Sequence, residues 1–418
     1  MRASRLANGP AAMIGAACEI VTRATRSYGP VVIMLSLFVW LPALYAAPDT
    51  PARGAFSVEL YHQLAVRKGN LFLSPYSASC ALGMTCQGAR GRTADEIASA
   101  LAIPASELRE TFSALNRPGA FLPNLLTVAN GLWVDKTFHI RSDFARALQE
   151  DFAARLFTPD FRHQPEVARQ QINSWVADNT GHRIQNLIPP GAVDPSTRAV
   201  LANAIYFKGI WATPFPKAAT HDQPFTTADG KKTPVPLMYG RVHAEGYLEP
   251  PGFQILQLAY ASNELSMVIF LPRSPDGLPA LEKQLTPAHL ADWLTALEPR
   301  EVEAYLPRFR IETTFQLNHA LEAMGVRLAF TDAADFSGME EAGAGGLKLS
   351  AVFQKAFIDV NEEGTEAAAA TGVIAVPTAI MRSREPPVFR ADHPFWFLIR
   401  DRKAGAILFM GRLAQGAS

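Results

Sequence analysis

The stretch from Val373 to Arg390 obeys no structural period. It carries Pro377, Pro386 and Pro387 together with the charged Arg382, Arg384 and Glu385, a mixture that suits neither helix nor ladder. Its flanks are ordered by contrast. An alanine run, Ala367 to Ala370, precedes it. Phe395 to Ile399 (FWFLI) and Ala406 to Phe409 (AILF) follow, around the turn-rich Asp401-Arg402-Lys403-Ala404-Gly405, and predict a C-terminal hairpin. The roughly 30 residues after the irregular stretch cannot bury enough surface to fold alone. They must return to the body of the chain, so the stretch is an excursion from one domain and not a linker between two. Long irregular loops in compact domains are uncommon, and they are often functional.

The rest of the chain mixes both periods. Phe56, Leu60 and Leu64 recur at helical spacing. Ser74-Pro75 opens a second helix carrying Ala81, Leu82, Met84 and Cys86, which Gly88 and Gly91 break; Glu96, Ile97, Ala100 and Leu101 continue helical. Val200 to Phe207, Ser266 to Leu271 and Glu301 to Leu306 read as strands, the last two stopping at Pro272 and Pro307. Helices come mostly early and strands mostly late, which predicts an α+β fold over a doubly wound one. A chain of 418 residues that is 48% hydrophobic can bury a large core.

Several function classes find no support. Basic and acidic residues balance at 39 each, without the basic surplus a nucleic-acid surface needs. Three cysteines, Cys18, Cys80 and Cys86, make no disulfide framework. Cys80 and Cys86 read as buried helix residues on different faces. There is no nucleophile elbow, zinc-protease helix or phosphate loop, and the nine histidines do not cluster at ligand spacing. Neither a metal nor a cofactor is expected, and no catalytic residue can be named. Asp332, Asp335, Glu340 and Glu341 read as a solvated acidic loop.

At the N-terminus, Arg23 and Arg26 precede the apolar run Val31 to Leu44, which small residues Ala46 and Ala47 close. This layout predicts an export signal over 1–46, cleaved after Ala46 or Ala47, with Met13 or a later Met as an alternative start. The run is short for a membrane span, which leaves an uncleaved anchor as the lesser reading. The expectation is a secreted or periplasmic domain over 47–418, free of the membrane after signal removal.

Several blocks, taken in order, resemble the serpin family of serine protease inhibitors from about Ala55 to Leu413. They include Asn70-Leu71-Phe72-Leu73-Ser74-Pro75 with Ser77, and Ile172-Asn173-Ser174-Trp175-Val176 with Thr180-Gly181 and Ile184. Asn203 to Trp211 (NAIYFKGIW), Leu306-Pro307-Arg308-Phe309 and Ala334-Asp335-Phe336-Ser337-Gly338 continue the series. Lys355-Ala356-Phe357, Val360 to Thr371 (VNEEGTEAAAAT) and Ala391-Asp392-His393-Pro394-Phe395 complete it. The pattern is that of an inhibitory, bacterial-type member.

The resemblance implies three β-sheets, eight or nine helices and an exposed reactive centre loop over about 362–387. It implies a monomeric suicide substrate: a protease cleaves the loop, is caught as an acyl-enzyme, and the hinge side inserts into the main sheet. The hinge would be Glu362, Glu363, Gly364, Thr365, Glu366, Ala367, Ala368, Ala369, Ala370 and Thr371. On an inserting strand, Thr365, Ala367, Ala369, Thr371 and Val373 share one face and Glu366 falls on the other. The face that enters the core begins with small residues that a packed sheet can admit.

Counting seventeen from Glu362 as one puts the bait bond at Thr378-Ala379, which suits an elastase-like pocket. Arg382-Ser383 is the rival and suits a trypsin-like one; subtilisin-like targets stay open. The resemblance also assigns Ser74, Ser77, Asn203, Trp211 and Gln354 to the region where the main sheet parts. Gln354 stands where the family usually has histidine, which argues for a neutral network without a pH response. The competing function is a non-inhibitory carrier or chaperone on the same fold.

Overall fold

A computed structural model describes residues 51–103, 124–261, 263–341, 346–365 and 385–416. The expected export signal, Glu366 to Thr371 of the hinge, and both candidate bait bonds (Thr378-Ala379 and Arg382-Ser383) lie outside these residues.

Eight α-helices are described: α1 Pro51–Leu64, α2 Pro75–Gly88, α3 Gly91–Leu101, α4 Ser142–Phe152, α5 Pro165–Asn179, α6 Leu278–Gln284, α7 Pro287–Thr295 and α8 Asn318–Ala323. The strands are β1 Leu71–Leu73, β2 Leu125–Val134, β3 Arg155–Phe157, β4 Ala199–Ile210, β5 His221–Thr226, β6 Lys232–Leu248, β7 Phe253–Ala259, β8 Leu265–Pro272, β9 Glu298–Pro307, β10 Phe309–Gln316, β11 Leu349–Asn361, β12 Gly364–Thr365, β13 Val388–Arg390, β14 Phe395–Asp401 and β15 Ile407–Leu413.

The main sheet has the order β10-β11-β12-β4-β2-β3. The other strands form one continuous ladder, β1-β15-β14-β8-β7-β6-β9-β13, with β5 on β6. Three sheets were expected. The two smaller ones are joined here because β6 is 17 residues long and bridges them. It pairs with β5 and β9 along most of its length and with β7 only at Gly246 to Leu248.

The main sheet is buried on both faces, and β4 shows the period of two. Ala199, Leu201, Ile205 and Phe207 point into the large central core. Val200, Ala202, Ala204 and Tyr206 point the other way, into a second core with Trp133, Ile172, Val176 and Ile184 beneath α5. A strand buried twice loses its polar face, so β4 reads as a near-continuous apolar run.

Local chemistry fixes the entry to α2. The Ser74 side chain accepts from the Ser77 N–H at 3.0 Å, and Pro75 occupies the first turn, where its missing donor costs nothing. At the far end of α2, a Cβ on Gly88 would sit 2.0 Å from Met339 Cγ, so only glycine lets this chain segment pass. Cys80 and Cys86 are free and buried. Burial, partly offset by a Tyr76 hydrogen bond, pushes the Cys80 thiol up to about 12, which leaves it unreactive at neutral pH.

Asp332 and Asp335 lie on the surface as expected, Asp332 paired with Lys348 at 2.7 Å and Asp335 capping Ser337. No helix among the described residues is long and apolar enough to cross a membrane. No cluster of three or more metal-ligating side chains occurs among them either.

Candidate functional site

Two buried sites lie along the seam between β4 and β11. Below, these strands pair directly and in parallel, from Leu349↔Ala199 to Phe357↔Tyr206. Above, they part, and β12 sits between them, antiparallel to both: Val360↔Thr365 and Asn361↔Gly364 on one side, Gly364↔Ile210 and Thr365↔Gly209 on the other. Strands β11 and β12 therefore make a hairpin whose two-residue turn is Glu362-Glu363.

The turn is over-determined. Gly364 adopts φ +145°, and a Cβ there would fall 2.0 Å from the Gly209 carbonyl oxygen. No side-chain-bearing residue fits either constraint. Glu363 N–H donates to Asn361 Oδ1 at 3.0 Å and closes the turn locally. Glu362 is only 2% exposed. Arg308 Nε donates to both of its carboxylate oxygens at 2.8 Å, and Thr220 Oγ1 donates at 2.5 Å. Burial works to raise this carboxyl's pKa, but the Arg308 and Thr220 hydrogen bonds outweigh it and hold the group below its usual value.

The next residue faces inward. Thr365 is fully buried, and its Oγ1 shares a 2.8 Å hydrogen bond with the Tyr260 hydroxyl. Burial drives the Tyr260 phenol above its ordinary range, so it keeps its proton. Tyr260 stacks on Trp211 at 4.6 Å, and the Trp211 indole N–H donates to the Asn361 carbonyl at 3.0 Å. Backbone N–H groups of Trp211 and Phe215 donate to the carbonyls of Glu363 and Glu362. Thr365 Oγ1 therefore points into the core.

The second site lies about 20 Å along β4, six residues at 3.3 Å each. Gln354 is fully buried and directly opposite Asn203 in the register. Its amide nitrogen donates to the Ser74 carbonyl at 2.9 Å and to Asn203 Oδ1 at 3.3 Å, while its oxygen accepts from the Ser74 N–H at 3.1 Å. Asn203 in turn donates to the Ser77 carbonyl at 3.0 Å and to Asn130 Oδ1 at 2.6 Å. Ser74 Oγ donates to the Leu408 carbonyl at 2.6 Å. This network ties α2 to four strands, β2, β4, β11 and β15, and every member is neutral.

Of the residues grouped by resemblance, Ser74, Ser77, Asn203 and Gln354 thus come together, while Trp211 belongs with the hinge. Sequence reading gave no role to Asn130, Thr220, Tyr260 or Arg308. Arg308 lay inside a quoted block, Leu306 to Phe309, but its partner is 54 residues away. Downstream of the loop, His393 bridges the Asp392 carboxylate at 2.9 Å and the Pro272 carbonyl at 2.7 Å, fixing the start of β14.

A main sheet that holds a pre-seated hairpin at the head of its central seam is the defining feature of this site. The family model described as Serpin (serine protease inhibitor) matches residues 51–416. This chain belongs to that family, and its role is inhibition, not catalysis. The "Leukocyte elastase inhibitor" of Bos taurus is 41% identical over 377 residues, covering 87% of this chain and 98% of the relative. Among solved structures, Serpin48 of the insect Tenebrio molitor has a TM-score of 0.79 at 33% identity, covering 87% of this chain and 97% of that one. Human thyroxine-binding globulin complexed with thyroxine also reaches 0.79, at 28% identity, covering 88% of this chain and 99% of that one.

Proposed function

We propose that this chain is a secreted, monomeric suicide inhibitor of an elastase-like serine protease, cleaved at Thr378-Ala379 and trapping its target by loop insertion. The observation that carries the reading is the seat of Thr365: a small residue, fully buried between β11 and β4, already begins the strand that cleavage would lengthen. An open slot in a sheet offers backbone partners to an added strand, and each hydrogen bond nets about 1 kcal/mol. The similarity to inhibitors named for leukocyte elastase supports the target class. The short β-branched Thr378 suits a shallow pocket, and Pro377 before it limits the entropy lost on docking. The apolar run after Arg23 and Arg26 supports export.

Incubation with elastase tests this. The expected result is a complex that survives SDS and a released fragment that begins at Ala379. Release beginning at Ser383 would move the target to a trypsin-like enzyme. No complex with elastase-, trypsin-, chymotrypsin- or subtilisin-like proteases, with no rise in thermal stability after loop cleavage, would replace trapping with a carrier function. N-terminal sequencing of the protein from the culture medium tests the export signal.

A further inference from the structure

We propose that Lys217 is a positioning residue for loop insertion: through its ion pair with Glu363 it clamps the Glu362-Glu363 turn and keeps β12 seated between β11 and β4. The inference rests on the trapping function proposed above and names the residue that prepares its first step.

Strand β12 is two residues long and is held by four register pairs. So short a strand stays in a slot only if its turn is anchored. Apart from Arg308, these anchors come from one segment, Trp211 to Thr220. Trp211 and Phe215 hold the two turn carbonyls, Thr220 holds the Glu362 carboxylate, and Lys217 Nζ lies 2.5 Å from Glu363 Oε1.

Two adjacent carboxylates in a tight turn repel each other, so each needs its own cation. Glu362 has Arg308: the carboxylate is 2% exposed and the Arg308 side chain 45% exposed, so the carboxylate end of this pair is shielded from salt. Glu363 has Lys217, whose side chain is 64% exposed against 21% for the glutamate. Both pairs border a cleft of about 490 Å³, which Lys217, Arg308, Glu362 and Glu363 help to line. Water and ions reach the outer pair through it. The Lys217 pair is the more exposed of the two at both ends, so it is the more salt-sensitive part of the anchorage.

The test compares Lys217→Gln, Lys217→Arg and the swap Lys217→Glu/Glu363→Lys with the unaltered protein at about 0.05 and 0.5 M salt. One readout needs no protease: hydrogen exchange at the Trp211 and Phe215 amides, which the turn carbonyls protect. The other is the ratio of cleaved to trapped inhibitor with elastase. Lys217→Gln should raise both by about 2- to 5-fold at low salt, the range set by an exposed ion pair. Lys217→Arg and the swap should restore both, and at high salt the unaltered protein should approach Lys217→Gln. Unchanged exchange in Lys217→Gln at low salt overturns the clamp. Faster exchange with an unchanged ratio overturns its role in insertion. If the unaltered protein traps no protease, the function proposed above fails, and the exchange data still decide whether Lys217 holds the turn.

Discussion

Thr365 Oγ1 and the Tyr260 hydroxyl meet at 2.8 Å inside the closed core, 105 residues apart in sequence. This contact makes the first inward position of the hinge a place for a small polar group and nothing larger.

Thr365→Arg should therefore empty the slot. A guanidinium has no partner there, and burying it unpaired costs several kcal/mol. The expected result is an inhibitor that a protease cleaves without being trapped, with the covalent complex reduced at least tenfold on gels. Thr365→Ser, which keeps the hydroxyl, should trap normally.

Gly364→Ala should displace β12 by a different route, since its Cβ collides with the Gly209 carbonyl. Protection of the Gly209 and Ile210 region against hydrogen exchange should fall, while the Gln354 region keeps its protection.

Glu362 ties the turn to pH. Its folded pKa lies below the usual 4.5, so the stability it contributes is complete above about 4.5 and is lost as pH falls through the lower folded value. Glu362→Gln should cost about 2 kcal/mol at pH 7, the range for hydrogen bonds to a charged group. The two proteins should draw together as pH falls from about 4.5 through that lower folded value. Thermal unfolding across pH 3 to 8 checks the convergence; a constant difference over that range contradicts it.

The Gln354 network contains no titratable group and should contribute a flat stability profile between pH 5 and 8. Gln354→His should bend it. A fully buried imidazole disfavours the charged form, so its folded pKa drops below the unfolded value near 6.5. Stability of that variant should then decline as pH falls below about 6.5, read as a lower melting temperature at pH 5.5 than at 7.5 relative to the unaltered chain.

These sites were unevenly legible in the sequence. Gly364 and Thr365 could be read because their requirements are local: a glycine where the backbone turns inward, then a period of two. Strands β4, β8, β9, β14 and β15 announced themselves as apolar runs with breakers at their ends. The length of β6 did not, because Pro234, Pro236, Gly240 and Gly246 punctuate it; Pro234 and Pro236 are tolerated opposite β5, beside the rim of its sheet. Helix α4 was passed over although Phe144, Leu148 and Phe152 recur every four residues and are all buried. Thr220, Lys217, Tyr260 and Asn130 carry no local mark, and Arg308 sits in a matched block that says nothing of its partner. Each matters through a partner 54 or more residues away, and only the folded register brings them together.

Parallel pairing of β4 with β11 up to Phe357↔Tyr206 has a kinetic meaning. Strand β12 is a toehold, and once it has passed Ile358 and Phe207, which are not paired across the seam, each residue that lengthens it displaces a strand pairing already made. Each step exchanges one parallel rung for two antiparallel rungs, which are individually somewhat stronger. The exchange runs downhill once begun, so its barrier sits at the fork itself, where Phe357 must first leave Tyr206. Substitutions at that fork should change how fast the sheet opens. Those three rungs lower, at Gln354 and Asn203, should change how much is gained by opening it, and the two quantities can be tuned apart.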